Sequence, residues 1–162
     1  MKKIIAIDGP SGAGKSTIAK LIAKELGFAY LDTGALYRAV ALNLMRHEFK
    51  DNASDKDIFS MLKKTDVKFK NGKVLLNGKD VSQEIRSPDV GHYASLFSAK
   101  KSVRKHLMQV QKDVSLHSDL VAEGRDMTSV VFPNAYKKFY LDASVEERMK
   151  RRMLELASKG FN

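Results

Sequence analysis

Ile4-Ile5-Ala6-Ile7-Asp8-Gly9-Pro10-Ser11-Gly12-Ala13-Gly14-Lys15-Ser16 runs from an apolar stretch into a loop that spells G-x-x-x-x-G-K-[ST], and a helical pattern follows at once. Strand, loop and helix in that order form the context in which these letters make a phosphate-binding loop. The other reading is a plain glycine turn between a strand and a helix. Against it stands the coincidence of several constrained positions with the correct flanks. Gly9, Pro10, Ser11, Gly12, Ala13, Gly14, Lys15, Ser16 and Thr17 are therefore the expected contacts of a nucleoside triphosphate.

The residue types fit that task. A backbone without Cβ atoms can wrap a phosphate tail closely and turn its N–H groups inward. Lys15 adds positive charge. The helix that begins there offers unpaired N–H groups and the positive end of its dipole to the same oxygens, and the Ser16 hydroxyl suits a Mg2+ ion.

Outward from the loop, the chain reads as alternating strands and helices. Ile4 to Asp8 is the first strand, followed by a helix from Lys15 to Leu26 with Ile18, Ile22 and Leu26 on one face and Gly27 as its stop. Phe28 to Asp32 is a second strand, and Thr33 can cap a helix in which Leu36, Val40 and Leu44 recur. Leu120 to Ala122 and Lys138 to Leu141 are short apolar runs of the kind buried in parallel sheets. Ser144-Val145-Glu146-Glu147 is a capping box for a helix reaching about Ser158, with Gly160 as its stop. The expected fold is α/β: a three-layer parallel sheet wrapped by helices.

The middle of the chain breaks this rhythm. Val67-Lys68-Phe69-Lys70 alternates, Asn71-Gly72 signals a tight turn, and Val74-Leu75-Leu76 resumes before Asn77-Gly78, which reads as an antiparallel hairpin. Ser87-Pro88-Asp89 starts a helix with a cap and a first-turn proline, and a second amphipathic helix carries Val103, Leu107, Val110 and Val114. Residues 54–115 are expected to form an inserted module, with 1–53 and 116–162 as the core.

The chain has 162 residues, 43% of them hydrophobic, enough for one domain with a real core and a small insertion. It has no cysteine, which excludes disulfides and fits the cytoplasm. Met1-Lys2-Lys3 and the apolar run after it faintly resemble a signal peptide, but Asp8 interrupts the run, so neither export nor a membrane segment is expected. A formal net charge of +10 calls for anionic partners, either nucleic acid or small phosphorylated substrates. The lysines at 50, 56, 63, 64, 68, 70 and 73 are scattered, as on solvated faces, and no aromatic-and-basic pattern supports nucleic acid. His47, His92, His106 and His117 lack metal-ligand spacing.

Ile-Ala-Ile-Asp-Gly-Pro-Ser-Gly-Ala-Gly-Lys-Ser (5–16), Leu-Asp-Thr-Gly-Ala-Leu-Tyr-Arg (31–38) and Glu-Gly-Arg-Asp-Met (123–127) together resemble the bacterial cytidylate kinases, and Val-Val-Phe-Pro-Asn-Ala (130–135) with Leu-Asp-Ala-Ser-Val-Glu-Glu-Arg (141–148) extends the likeness along the chain. The phosphate loop is widely shared; the Asp-Thr-Gly-x-x-Tyr-Arg and Gly-Arg-Asp pair is the specific part. The hairpin module is similar to that family's enlarged acceptor domain. The resemblance implies transfer of a phosphoryl group from ATP to CMP or dCMP, with Mg2+; a monomer is expected.

In those roles Lys15, Arg38 and Arg125 are the implied catalytic residues, since arginine forks converging on an acceptor phosphate neutralise the moving charge. Taken alone, Arg38 is an ordinary helix-surface residue; beside Asp32-Thr33-Gly34 it points to a phosphate site. Thr33, Tyr37, Arg38, Ser95, Arg104, Arg125 and Asp126 are the implied CMP contacts. Asp126, Ser95 and Arg104 would read the cytosine amino group and its neighbouring acceptors. Ser95 and Arg104 by themselves could equally be solvated surface residues. Arg148, Arg151 and Arg152 share a helix face that leads, in similar enzymes, into a lid over ATP, which makes Arg148 and Arg152 lid-side candidates.

The sequence departs from the family's pattern after Lys159-Gly160-Phe161-Asn162, where relatives continue into the lid, a last strand and a helix; these 162 residues alone are expected to show weak or no turnover. Two other functions compete with the leading one. The same loop could serve another small acceptor such as UMP or shikimate, or the chain could be a non-catalytic or nucleic-acid-associated nucleotide switch.

Overall fold

Ile5, Ala6 and Ile7 are almost fully enclosed: β1 (Ile4–Asp8) has a parallel neighbour on each side, β6 (Leu120–Gly124) and β7 (Lys137–Tyr140), and Ile5 and Ile7 pack against Ala19 and Ala23 of the helix that follows. The computed structural model describes residues 2–70 and 72–158, and at 156 the backbone alone. By its packing the chain divides into two compact units, 1–30 with 118–162, and 31–117.

In the first unit the sheet runs in the order β2-β6-β1-β7, with β2 at Ala29–Asp32. Asp8 stands level with Gly124 on one side and Tyr140 on the other, so the loops that leave these three strands emerge at one edge of the sheet. Open α/β sheets place their ligands at that carboxyl edge.

Helix α1 (Lys15–Leu26) ends at Gly27, whose φ of +65° closes the last turn as expected. Its buried face differs from the one read in the sequence. Ala19 and Ala23 pack with Ile5, Ile7 and Val121, and Ile22 is partly buried beside them, while Ile18 and Leu26 are 42% and 51% exposed. Small side chains let the helix lie close on the sheet, and that distance leaves the bulkier residues at its margins.

Strand β7 also departs from expectation. It pairs with β1, yet all four of its residues are exposed, Phe139 and Tyr140 among them. An apolar run signals burial only where another layer covers it. Helix α6 (Val145–Ser158) begins where the capping box places it, with the Glu147 N–H donating to Ser144 Oγ at 3.2 Å. The expected stop at Gly160 lies outside the described residues.

The second unit is built around α2 (Thr33–Arg46). Leu36, Val40 and Leu44 are fully buried as their spacing predicts, Ala39 and Ala41 equally so, and Leu42 and Asn43 nearly so, because α2 meets other elements nearly all round. Those are α3 (Asp55–Leu62), α4 (Pro88–Phe97), α5 (Lys101–Ser115), β3 (Val67–Lys70) and β4 (Lys73–Leu76). This enclosure carries residues 31–53 into the packing unit, whereas the sequence reading opens the insertion at 54.

Asp32, not Thr33, caps α2: its carboxylate accepts the Ala35 N–H at 2.9 Å, and Thr33 is the first helical residue. The expected hairpin is present as β3 and β4 and gains a third strand, β5 (Lys79–Asp80). Asn77 and Gly78 both have positive φ, +49° and +80°, the tight turn that an Asn-Gly pair favours. At the first turn, Asn71 lies outside the described residues. Ser87 caps α4 by accepting the Val90 N–H at 3.3 Å, with Pro88 in the first turn, and Val103 and Leu107 are fully buried on α5. Helix α3, capped by Ser54, is an element the sequence expectations do not include.

Candidate active site

The phosphate loop leaves β1 with its backbone in left-handed geometry at Gly12 and Gly14, φ +78° and +96°. Gly14 ends the loop as the residue before α1, with no side-chain cap and no acidic residue in the first turn, so the leading N–H groups of α1 are not met by a side chain of the helix. Such a helix start suits an anion. Lys15 is buried, and its ammonium donates to the Pro10 carbonyl at 2.7 Å, which holds the cation against the loop it belongs to. Ser16 and Thr17 follow, both exposed.

Two of the loop glycines answer to nearby protein backbone. A Cβ on Gly9 would stand 1.9 Å from the Leu141 carbonyl oxygen, and one on Gly12 would stand 2.9 Å from the carbonyl oxygen of Arg148. The chain leaving β7 and the start of α6 therefore press on the loop from outside. Arg151 donates to the carbonyls of Gly12 and Ala13 at 3.2 and 3.1 Å, and Glu147 accepts its Nε at 2.7 Å. Of the three arginines on this helix, Arg151 holds the loop; Arg148 donates to the Ala143 carbonyl, and Arg152 pairs with Glu155. At the head of α6, Glu146 is held below the usual carboxylate range by its own backbone N–H and then by the Ser144 hydroxyl.

Arg125 and Asp126 leave the end of β6, level with the start of the phosphate loop. Arg125 is exposed and donates to the Gly124 carbonyl at 3.2 Å; Asp126 precedes a single π turn, Met127–Val131. The N–H groups that open this turn go to Asp8, a buried carboxylate for which the sequence carries no local signal beyond the break it makes in the first apolar run. Glu123, also buried, accepts from the Tyr30 hydroxyl at 2.6 Å.

In the second unit Arg38 stands one turn into α2 and donates to the Ile85 carbonyl at 3.2 Å. Gly91 on α4 makes room for it: a Cβ there would lie 2.9 Å from the Arg38 Nη1. Asp32, besides capping α2, pairs with Arg86 at 3.2 Å. Thr33 is buried and Tyr37 half-buried on the same helix. Ser95 on α4 and Arg104 in the first turn of α5 are both exposed. The sequence carries no local signal for Gly91 or Arg86, because their partners belong to other elements.

A family model described as cytidylate kinase matches residues 5–162. The chain belongs to the cytidylate kinase family. It is 54% identical to the cytidylate kinase of Thermodesulfovibrio yellowstonii over 99% of this chain and 74% of that protein. The cytidylate kinase of Caldicellulosiruptor saccharolyticus is 48% identical over 99% of this chain and 73% of that one. That of Thermotoga maritima is 44% identical, covering 97% and 71% respectively. The mostly parallel sheet with a separate antiparallel one accords with the α/β expectation.

Proposed function

We propose that this protein, a kinase of the cytidylate kinase family, transfers the γ-phosphoryl group of ATP to CMP or dCMP, giving ADP with CDP or dCDP. The observation that carries the reading is the uncapped start of α1 beneath left-handed glycines, with buried Lys15 held at the same loop. Phosphoryl transfer needs little covalent chemistry from a protein; it needs two polyanions aligned and their charge neutralised.

Gly9 to Thr17 hold the ATP phosphates, with backbone N–H groups and Lys15 as donors. Arg38 and Arg125 bind the acceptor phosphate through paired N–H donors, which is why lysine would not substitute. Thr33 and Tyr37 border it from α2. Asp126, Ser95 and Arg104 read cytosine, and residues 54–115 serve as the acceptor module. Arg148 and Arg152 lie on the ATP side.

Ser16 is the residue suited to Mg2+. Ser16 is exposed and lies in the first turn of α1, and its hydroxyl is the type of oxygen ligand that Mg2+ accepts. When bound, the ion would supply charge neutralisation to the phosphates of the donor.

No helix among the described residues is long and apolar enough to cross a membrane. We place the enzyme in the cytoplasm as a monomer acting on small substrates without nucleic acid. A coupled assay of ADP release with CMP, dCMP, UMP and AMP tests the reading. A preference for the cytidine acceptors supports it, and equal or greater turnover of UMP or AMP refutes it.

A further inference from the structure

We propose that Asp8 is a positioning residue that fixes the Arg125-Asp126 segment against the phosphate loop. The inference rests on the acceptor-side roles given to Arg125 and Asp126 above.

Asp8 is the last residue of β1 and is 2% exposed. A carboxylate so enclosed must be matched by donors, or its burial costs several kcal/mol. Both of its oxygens are matched, and all the donors come from one place. Oδ1 accepts the Met127 N–H at 2.9 Å; Oδ2 accepts the Thr128 N–H at 2.8 Å and the Thr128 hydroxyl at 2.7 Å. Its carbonyl accepts the Leu141 N–H at 2.8 Å. One residue thus ties together the exits of β6 and β7 and leads directly into Gly9.

The segment it holds is short. Gly124 is anchored in the ladder opposite Asp8, and Met127 and Thr128 are anchored by the carboxylate, so Arg125 and Asp126 are the only residues between two fixed points. The π turn that follows is closed by the Phe132 N–H donating to the Met127 carbonyl at 2.8 Å, which leaves the opening N–H groups of the turn for Asp8. A π turn is a rare element that recurs at functional sites. The carboxylate reaches neither substrate by this account. It sets where the Arg125 guanidinium and the Asp126 carboxylate begin relative to the loop that holds the donor phosphates, and a misplacement of about 1 Å at such a site costs about a hundredfold in rate.

Asp8→Asn in the complete protein tests this. Whichever way the new amide turns, its NH2 group faces a backbone N–H of Met127 or Thr128. The expected result is a fall of about tenfold to a hundredfold in kcat with CMP and a smaller CMP-over-UMP preference. The Kd of a non-hydrolysable ATP analogue should stay within about twofold, because the groups on the phosphates are untouched. Thr128→Val removes one of the three bonds and should cost up to about tenfold, while Thr128→Ser, which keeps the hydroxyl, restores the wild-type value.

Unchanged turnover and unchanged preference in Asp8→Asn overturn the proposal. So does a parallel loss of analogue affinity, turnover and thermal midpoint, which would mark Asp8 as a purely structural residue. Should Asp8→Asn fail to fold, the Thr128 pair decides by the same readouts. If the wild-type enzyme does not phosphorylate CMP, the functional reading is what fails. Amide hydrogen exchange then decides the positioning: faster exchange confined to 125–128 in the variants upholds it, and unchanged exchange there refutes it.

Discussion

The guanidinium of Arg38 crosses Gly91 so closely that a Cβ on the glycine would stand 2.9 Å from Nη1. The contact joins a charged residue on α2 to a helical position on α4 where any side chain would displace it. Gly91→Ala therefore separates stability from activity. Alanine is the better helix former by up to about 1 kcal/mol, and the end of an arginine moves cheaply, so the melting temperature should hold or rise. Turnover of CMP should drop about tenfold or more as Arg38 is pushed aside. Kinetics and thermal melts on one preparation check both halves.

Lys15→Ala removes the ammonium held at the phosphate loop. The loss of one preorganised charge from a phosphoryl-transfer site should lower kcat on the order of a hundredfold to a thousandfold. Steady-state kinetics with saturating CMP reads it, and an unchanged rate contradicts the role.

Asp126→Asn keeps the shape of the side chain while replacing an acceptor with a donor. Discrimination between CMP and UMP should shrink, since a carboxylate is the partner suited to the cytosine amino group. The ratio of kcat/KM for the two acceptors is the measurement; a fixed ratio means that the base is read elsewhere.

Gly9→Ala should act on stability first. Its Cβ would stand 1.9 Å from the Leu141 carbonyl oxygen, a backbone atom that cannot yield without moving the exit of β7. Overpacking of this kind costs about 1–3 kcal/mol, which at an m-value of about 1–3 kcal/mol/M should lower the urea midpoint by roughly 1 M even without ATP.

Burial pushes the His106 pKa below its ordinary 6.5, and the nearby Asp66 charge opposes this only in part. A lowered folded-state pKa means that the unfolded chain takes up the proton first as pH falls. The stability of the wild type should therefore be level above about 6.5 and decline below it, and His106→Leu should flatten that part of the profile. Chemical denaturation across a pH series tests the sign.

Much of the core fold was legible because its signals are short in range. The phosphate loop, the Gly27 stop, the Ser87 cap, the Ser144 cap and the Asn77-Gly78 turn each depend on residues within a few positions, and each forms as its letters predict. Periodicity alone succeeded on α2, where neighbours surround the helix, and failed on α1, where closeness to the sheet selected Ala19 and Ala23 over Ile18 and Leu26. It also failed at β7, because nothing along the strand itself tells whether a covering layer is present.

By itself the chain of letters determined the glycine-rich loop between β1 and α1, the alternation of strands and helices, and the family whose motifs it carries. Tertiary structure alone decided that Asp8 serves residues 119 and 120 positions away, that Gly9 is small for the sake of Leu141, and that Gly91 is small for Arg38. The reason is physical. Backbone turns and caps are settled by local hydrogen bonds, whereas the partner of a buried charge and the space beside a glycine exist only after distant segments have packed together.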